Sequence, residues 1–299
     1  MRATVLIALA VALISSIAPR QAVAAIPMPP IRVVATTTDI KDLVQTIGGN
    51  QVEVESLAAP LQDPHTLELK PGQLLRLRGA ELVVRIGLDH EPWLAKTRTD
   101  APVVDLSRTI RLLQTDTPRL RVERQAHIHL FGNPHYWLDP HNARPMVLAI
   151  TAALVRLRPA ERTYFEVNQA AFLARLDTQL PQWRAALAPY AGTKVVVLHD
   201  SWTYFADCFG LSIVASAEPT PGIPPSPAEL ATLFSRMRTA KVRLVIANPD
   251  SNASLVRQLA EHGGAPSFTM VPSVGGDPAA GSYFSLITLN VTRLAKALH

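Results

Sequence analysis

The sequence predicts an α/β protein with two Rossmann-like lobes, each built on a parallel sheet, joined by a long rigid backbone helix. Three observations support this prediction. Short apolar, β-rich runs alternate with amphipathic helical segments, the alternation occurs twice along the chain, and one long helical stripe separates the two series. Strands that are continuously apolar are typical of parallel sheets covered by helices on both faces.

The first lobe is predicted over residues 25–158. Its β-rich runs are followed by polar or glycine-containing breaks, which favours strands connected by helices. The predicted strands are 31–38, 52–58, 82–86 and 103–106, and the predicted helices are 39–47 and 74–80.

The second lobe, predicted over residues 191–299, repeats the pattern. Its strands are predicted at 194–198, 211–215, 242–247 and 268–271, and its helices at 202–209, 228–239, 254–262 and 283–298.

The linking helix is predicted over residues 159–190. Large apolar residues recur there at steps of seven, four and three, which places them along one face of a helix. Such a segment spans roughly 40 Å at 1.5 Å per residue, and Pro181 is expected to kink or break it. A helical connection stiffens the relation between two lobes, unlike a Gly/Ser linker. The apolar face consists of Phe165, Phe172, Leu176, Leu180, Trp183 and Leu187.

Residues 1–24 are interpreted as a signal peptide. Arg2 precedes an apolar run that ends before Pro19, and Ala22-Val-Ala24 provides the small-x-small pattern of a cleavage site. A spanning helix needs about 20 apolar residues, so a retained anchor is the weaker alternative. Without a cysteine near the cleavage point, no lipid anchor is expected. We expect a periplasmic protein.

Composition excludes several classes of function. The net charge is +5, and removal of a leader with two arginines and no acids leaves about +3, without a run of Lys and Arg. No nucleic-acid role is therefore expected. Cys208 is the only cysteine, which excludes an intrachain disulfide and a cysteine-based zinc site. We also expect a monomer.

Three histidines are candidate metal ligands. His65 follows the second predicted strand, His135 lies in a proline-framed loop, and His199 ends the strand that opens the second lobe. Ligands of open α/β sheets bind beyond the carboxyl ends of strands, so these residues are expected in a cleft between the lobes. Imidazoles suit Zn²⁺, whereas Ca²⁺, Mg²⁺ and Mn²⁺ favour carboxylates. Any one histidine alone is more often an ordinary loop residue, and the spacing forms no regular motif.

Several segments resemble one family, the zinc-uptake and TroA-like solute-binding proteins of zinc and manganese ABC transporters. The matching stretches, in order, are 34–43 with 48–52, 63–68, 87–94, 133–139, 199–205 and 283–298. The resemblance implies two α/β lobes joined by a rigid helix, with the ion between them. It maps the first three ligands onto His65, His135 and His199. Manganese members generally carry a carboxylate at the third place, so His199 indicates zinc.

The fourth ligand of the family is usually a carboxylate shortly before the last helix. Pro272 stands at the position that aligns with it. Asp277, in the following Gly-rich loop, is the candidate replacement, and water is the alternative. Glu68 and Asp139 are expected to orient the imidazoles.

The remaining histidines receive weaker interpretations. His127 and His129 are all that is present of the His-rich loop common in zinc members, and they are a candidate accessory site. His90, His141 and His262 are interpreted as ordinary loop or surface residues.

The sequence therefore predicts a periplasmic protein, not an enzyme, that captures Zn²⁺ and delivers it to the permease of an ABC importer. The alternatives are a manganese carrier of the same fold and, less favoured, a zinc hydrolase, since three histidines and a water also form a catalytic site. The hydrolase lacks support because the chain has no H-E-x-x-H motif and no evident general base beside a ligand. A surface adhesin is disfavoured by the missing lipid-anchor chemistry.

Overall fold

A computed structural model describes residues 28–114, 132–218 and 224–299. The predicted signal peptide, and His127 and His129 of the candidate accessory site, lie outside the described residues. Among the described helices, none is both long and apolar enough to cross a lipid bilayer.

The first lobe contains a parallel sheet of four strands in the order β2-β1-β3-β4. The apolar residues of the central strands are buried on both faces, as the continuous apolar runs predict. The elements are β1 (Ile31–Ala35), α1 (Thr38–Gly48), β2 (Val52–Ser56), α2 (Pro71–Gly79), β3 (Leu82–Arg85), β4 (Val103–Asp105) and α3 (Ala143–Leu157).

The second lobe repeats this topology after the long helix α4 (Arg162–Leu187). Its four parallel strands have the order β6-β5-β7-β8. The elements are β5 (Lys194–His199), α5 (Thr203–Phe209), β6 (Ser212–Glu218), α6 (Pro227–Ala240), β7 (Leu244–Ala247), α7 (Ala253–Gly263), β8 (Ser267–Thr269) and α8 (Tyr283–Leu298). The predicted fold class, two parallel-sheet α/β lobes with a long helix, is confirmed.

Helix α4 is continuous through Pro181, so the predicted break is absent. An internal proline costs a helix about 3 kcal/mol. The apolar side chains on either side of Pro181, Leu176 and Trp183, are buried, and the Trp183 indole N–H donates to Thr288 Oγ1 of α8 at 3.0 Å. Packing on both sides of the proline therefore holds the helix together.

Helix α3 is an element that the sequence analysis did not predict. Its buried residues Met146, Val147, Ile150, Thr151 and Leu154 lie on one face, but the opposite side is also apolar and includes the exposed Leu148. A helix that is apolar on several sides shows no narrow stripe, and its pattern is therefore weak. It packs against α1 and α4.

One hydrophobic core joins the two lobes. It contains Val33 of β1 and Val195 of β5, together with the buried side chains Phe172 of α4 and Tyr283 of α8. Because the lobes share this core, separating them would expose apolar surface at about 25 cal/mol per Å². The shared core therefore keeps the carboxyl ends of the two sheets, which face each other across the cleft, in nearly fixed relative positions.

Candidate metal centre

Two of the candidate ligands, His65 and His135, are each held by a local turn of the same kind. Asp63 Oδ1 accepts hydrogen bonds from the His65 backbone N–H at 2.9 Å and from His65 Nδ1 at 2.7 Å. Asn133 Oδ1 accepts in the same way from the His135 backbone N–H and Nδ1, at 2.9 and 3.0 Å. A neutral imidazole carries one proton, so donation from Nδ1 leaves the lone pair on Nε2. Each turn therefore sets the tautomer that a metal ion requires.

The turn depends on the sequence Asx-Pro-His and not on the cleft. A third copy occurs at Asp139, whose Oδ1 accepts from the backbone N–H and Nδ1 of His141, both at 2.8 Å. His141 is exposed there and lies beside Cys208, with 3.5 Å between Sγ and Nδ1. The expectation that Glu68 and Asp139 orient the ligand imidazoles is wrong, because Glu68 is exposed and Asp139 binds His141.

Burial and neighbouring charges set the protonation of Asp63 and His199. Burial lowers the pKa of His199 to about 4; the positive charge of His65 also lowers it, and the charge of Asp63 opposes the shift. Burial of Asp63 raises its pKa, but the hydrogen bonds and charge of His65 outweigh burial, and the net pKa lies below its usual range. The metal-free site thus holds a neutral His199 and an ionised Asp63 at neutral pH.

The structure brings the three predicted histidines together. The ring centroids of His135 and His199 are 5.2 Å apart, and His65 lies 6.0 Å from His135 and 6.4 Å from His199. An imidazole nitrogen about 2.0–2.1 Å from Zn²⁺ places its ring centroid about 3 Å from the ion, so tetrahedrally arranged rings are about 5 Å apart. The spacing is within reach of a single shared ion after small side-chain shifts.

His90 is the functional-site residue that the sequence analysis missed. Its side chain is buried, and its ring centroid lies 4.6 Å from that of His65 and 5.4 Å from that of His135. The interpretation of His90 as an ordinary loop or surface residue is therefore wrong. A signal was present, because His90 follows the carboxyl end of β3 just as His65 follows that of β2.

The loop that bears His90 is fixed by a buried carboxylate. Glu91 accepts hydrogen bonds from Thr36 Oγ1 at 2.5 Å and from the backbone N–H groups of Ile86 and Gly87 at 2.8 and 3.0 Å. Burial raises the pKa of Glu91, while these hydrogen bonds oppose the increase. The Tyr136 hydroxyl also donates to the carbonyl of Ile86 at 2.6 Å. The loop is thus hydrogen-bonded both to Thr36, which follows β1, and to Tyr136.

A cavity of about 440 Å³ lies between the lobes at the carboxyl ends of both sheets. His90, His135 and His199 line it, while the nearly inaccessible His65 ring packs against all three. Its lining also includes four carboxylate residues, Asp39, Asp63, Glu218 and Asp250.

The structure does not bring Asp277 to the histidines. The Asp277 carboxylate accepts from the Ala279 backbone N–H and from Arg293 Nη1, both at 2.8 Å. These contacts hold its pKa below the usual range. Pro272, by contrast, lines the cavity where the acid was expected, and its carbonyl accepts from Trp137 Nε1 at 2.9 Å.

Comparisons with known proteins agree with this geometry. Residues 33–297 match the family described as ZnuA, zinc-uptake complex component A, periplasmic. A putative metal-binding protein of Thermotoga maritima is 27% identical, over 89% of this chain and 92% of its own. The high-affinity zinc uptake system protein ZnuA of Yersinia pestis is 27% identical, with 81% and 84% covered. The manganese ABC transporter substrate-binding lipoprotein PsaA of Streptococcus pneumoniae is 22% identical, with 90% and 89% covered.

Solved structures show the same fold. A crystal structure of ZnuA superposes with a TM-score of 0.77 at 28% identity, covering 90% of this chain and 100% of that one. A manganese-bound periplasmic metal-binding protein from Candidatus Liberibacter asiaticus has a TM-score of 0.75 at 19% identity, with 89% and 99% covered.

Proposed function

Because the chain belongs to the family of periplasmic zinc-uptake complex component A proteins, we propose that it captures Zn²⁺ between its lobes and delivers it to the permease of an ABC transporter for high-affinity zinc import. Members of this family are metal-binding solute-binding proteins of ABC transporters and not enzymes. The choice of zinc and the identity of the ligands are the proposed parts.

The observation that supports zinc most directly is the close approach of the His65, His135 and His199 rings to one another beside the cavity. All three offer imidazole nitrogen atoms, and two have their tautomer set by an Asx side chain. Mn²⁺ prefers oxygen ligands and binds nitrogen sites more weakly than Zn²⁺ does. A cleft that gathers imidazoles therefore favours zinc.

A manganese carrier of the same fold is the second candidate, since relatives include a manganese transporter lipoprotein. Four carboxylate side chains line the cavity, and oxygen ligands would suit Mn²⁺. We favour zinc because Asp63 is engaged by His65 and a histidine, His199, occupies the end of β5.

Delivery is proposed to require small movements. The common core and the continuous helix α4 resist wide separation of the lobes, so release would come from shifts of the loops that bear the ligands. We propose residues 25–158, 159–190 and 191–299 as first lobe, linking helix and second lobe. Residues 1–24 are proposed as the leader of a monomeric periplasmic protein.

The test is the metal that the protein takes up in competition. The chain would be expressed with its leader, recovered from the periplasm of a bacterial host grown with equal zinc and manganese, and its metal content measured by mass spectrometry. We expect close to one zinc per chain. A preparation that contains mainly manganese, or that remains metal-free and fails to bind added zinc, would refute the proposed function.

A further inference from the structure

We propose that His90 is a fourth metal-binding residue, so that four imidazoles hold the ion and no protein carboxylate does. This inference rests on the proposed function, because it concerns the same ion in the same cleft. It differs from the expectation drawn from the sequence, in which Asp277 or a water completes the site.

The first argument is distance. The His90 ring lies nearer to His65 than either His135 or His199 does, at 4.6 Å against 6.0 and 6.4 Å. Its distance to His135, 5.4 Å, matches the 5.2 Å between His135 and His199. The three shortest of these distances, 4.6, 5.2 and 5.4 Å, lie close to the spacing of about 5 Å expected of rings bound to one tetrahedral Zn²⁺.

The second argument is the conformation of the loop before His90. Gly87, Leu88 and Asp89 have φ values of 83°, 56° and 57°, so three consecutive residues occupy the left-handed region. A non-glycine residue in this region costs about 1–3 kcal/mol and persists only where its surroundings impose it. The turn closes with a hydrogen bond from the His90 N–H to the Gly87 carbonyl at 3.0 Å. It reverses the chain immediately after β3 and directs His90 into the cleft.

The third argument is what occupies the place of the missing acid. Trp137 donates from Nε1 to the Pro272 carbonyl at 2.9 Å, and its ring packs against His90 at 5.4 Å and His135 at 5.3 Å. The indole thus lies between the backbone of Pro272 and the two imidazoles. Pro272 lines the same cavity as the histidines but has no donor side chain, and His90 supplies a donor from the first lobe instead.

The carboxylates that line the cavity are assigned a different role. Glu218 is the register partner of His199, and Asp250 follows β7. Both belong to the second lobe and line the cavity. Four neutral imidazoles leave the charge of the ion uncompensated, so we assign these carboxylates an electrostatic attraction for the cation without a bond to it.

The experiment is X-ray absorption at the zinc edge, combined with competitive zinc titration, on the full mature chain. The wild type should give four nitrogen ligands at about 2.0 Å with the scattering pattern of four imidazoles. In His90→Ala the imidazole count should fall to three. Zinc affinity should fall by at least the roughly 10–100-fold that loss of a partner behind a ligand costs.

Matched variants separate the alternatives. Asp277→Asn, Glu218→Gln and Asp250→Asn should each keep the wild-type imidazole count, and His141→Ala controls for loss of a histidine from an Asx-Pro-His turn outside the cleft. His90→Gln provides a polar replacement of similar length, and thermal unfolding without metal checks that each variant folds. A wild-type imidazole count and affinity in both His90 variants would overturn this inference and leave the zinc function intact. Failure of the wild type to bind zinc would instead overturn the function.

Discussion

The Asp39 carboxylate accepts a hydrogen bond at 2.9 Å from the backbone N–H of Val274, which joins the first turn of α1 to the loop that precedes α8. The contact therefore links the two lobes beside the cavity. Asp39 is completely buried, and burial raises its pKa from 3.8 to about 7. A group that fixes the lobes together is thus one that changes charge near neutral pH.

Replacement of Asp39 by asparagine should stabilise the metal-free protein more at pH 8 than at pH 5. Between pH 4 and 7 the folded state retains a proton that the unfolded state has released, so the free energy of unfolding falls as pH rises. Asparagine keeps an acceptor for Val274 and has no charge to bury. Urea denaturation of Asp39→Asn and wild type at both pH values measures the difference. If Asp39→Asn changed the free energy of unfolding equally at pH 5 and pH 8, Asp39 would not be protonated in the folded protein.

Acid should destabilise the metal-free protein partly through His199. Its pKa is about 4 in the folded state and about 6.5 in the unfolded state. This depressed pKa contributes at most about 3 kcal/mol to the free energy of unfolding. The contribution is fully present above pH 6.5 and is lost as the pH falls toward 4. His199→Gln should show a weaker decrease of unfolding free energy over that range. A parallel pH dependence in variant and wild type would contradict the depressed pKa.

The turn that presents His65 should contribute to zinc affinity. Asp63→Ala removes the acceptor of the His65 Nδ1 and backbone protons, so the ring can rotate and change tautomer. Affinity should fall by about 10–100-fold. Asp139→Ala, which removes the same acceptor from His141 outside the cleft, should leave it unchanged. Competitive titration with a zinc-binding dye measures both, and an equal loss in the two variants would indicate a general effect on folding.

The sequence was most informative where a pattern depends on near neighbours. Strands such as β5 and β7 are continuous apolar runs that are buried on both faces. Such runs are typical of the central strands of parallel sheets, so they can be predicted from the sequence. The positions of His90 and Asp277 depend instead on contacts between residues that are distant in the sequence. His90 reaches the cleft through a rare backbone conformation at residues 87–89. The neighbouring Glu91 is fixed by a hydrogen bond from Thr36, which is 55 residues away in the sequence. Asp277 is held elsewhere by Arg293 on α8, and neither contact has a local sequence signal.

Replacement of Pro181 by alanine should stabilise the protein. Pro181 is exposed in the interior of α4, and having no N–H it cannot donate to the carbonyl of Asp177. Restoring that hydrogen bond and removing the clash of the ring should increase the free energy of unfolding by roughly 1–3 kcal/mol, reduced by the greater freedom of alanine in the unfolded chain. Pro189→Ala is the control, because Pro189 opens a 3-10 turn where no donor is needed. Urea denaturation measures both variants. If Pro181→Ala were no more stable than Pro189→Ala, the proline would cost α4 nothing, and packing on either side of it would not be needed to explain the continuity of the helix.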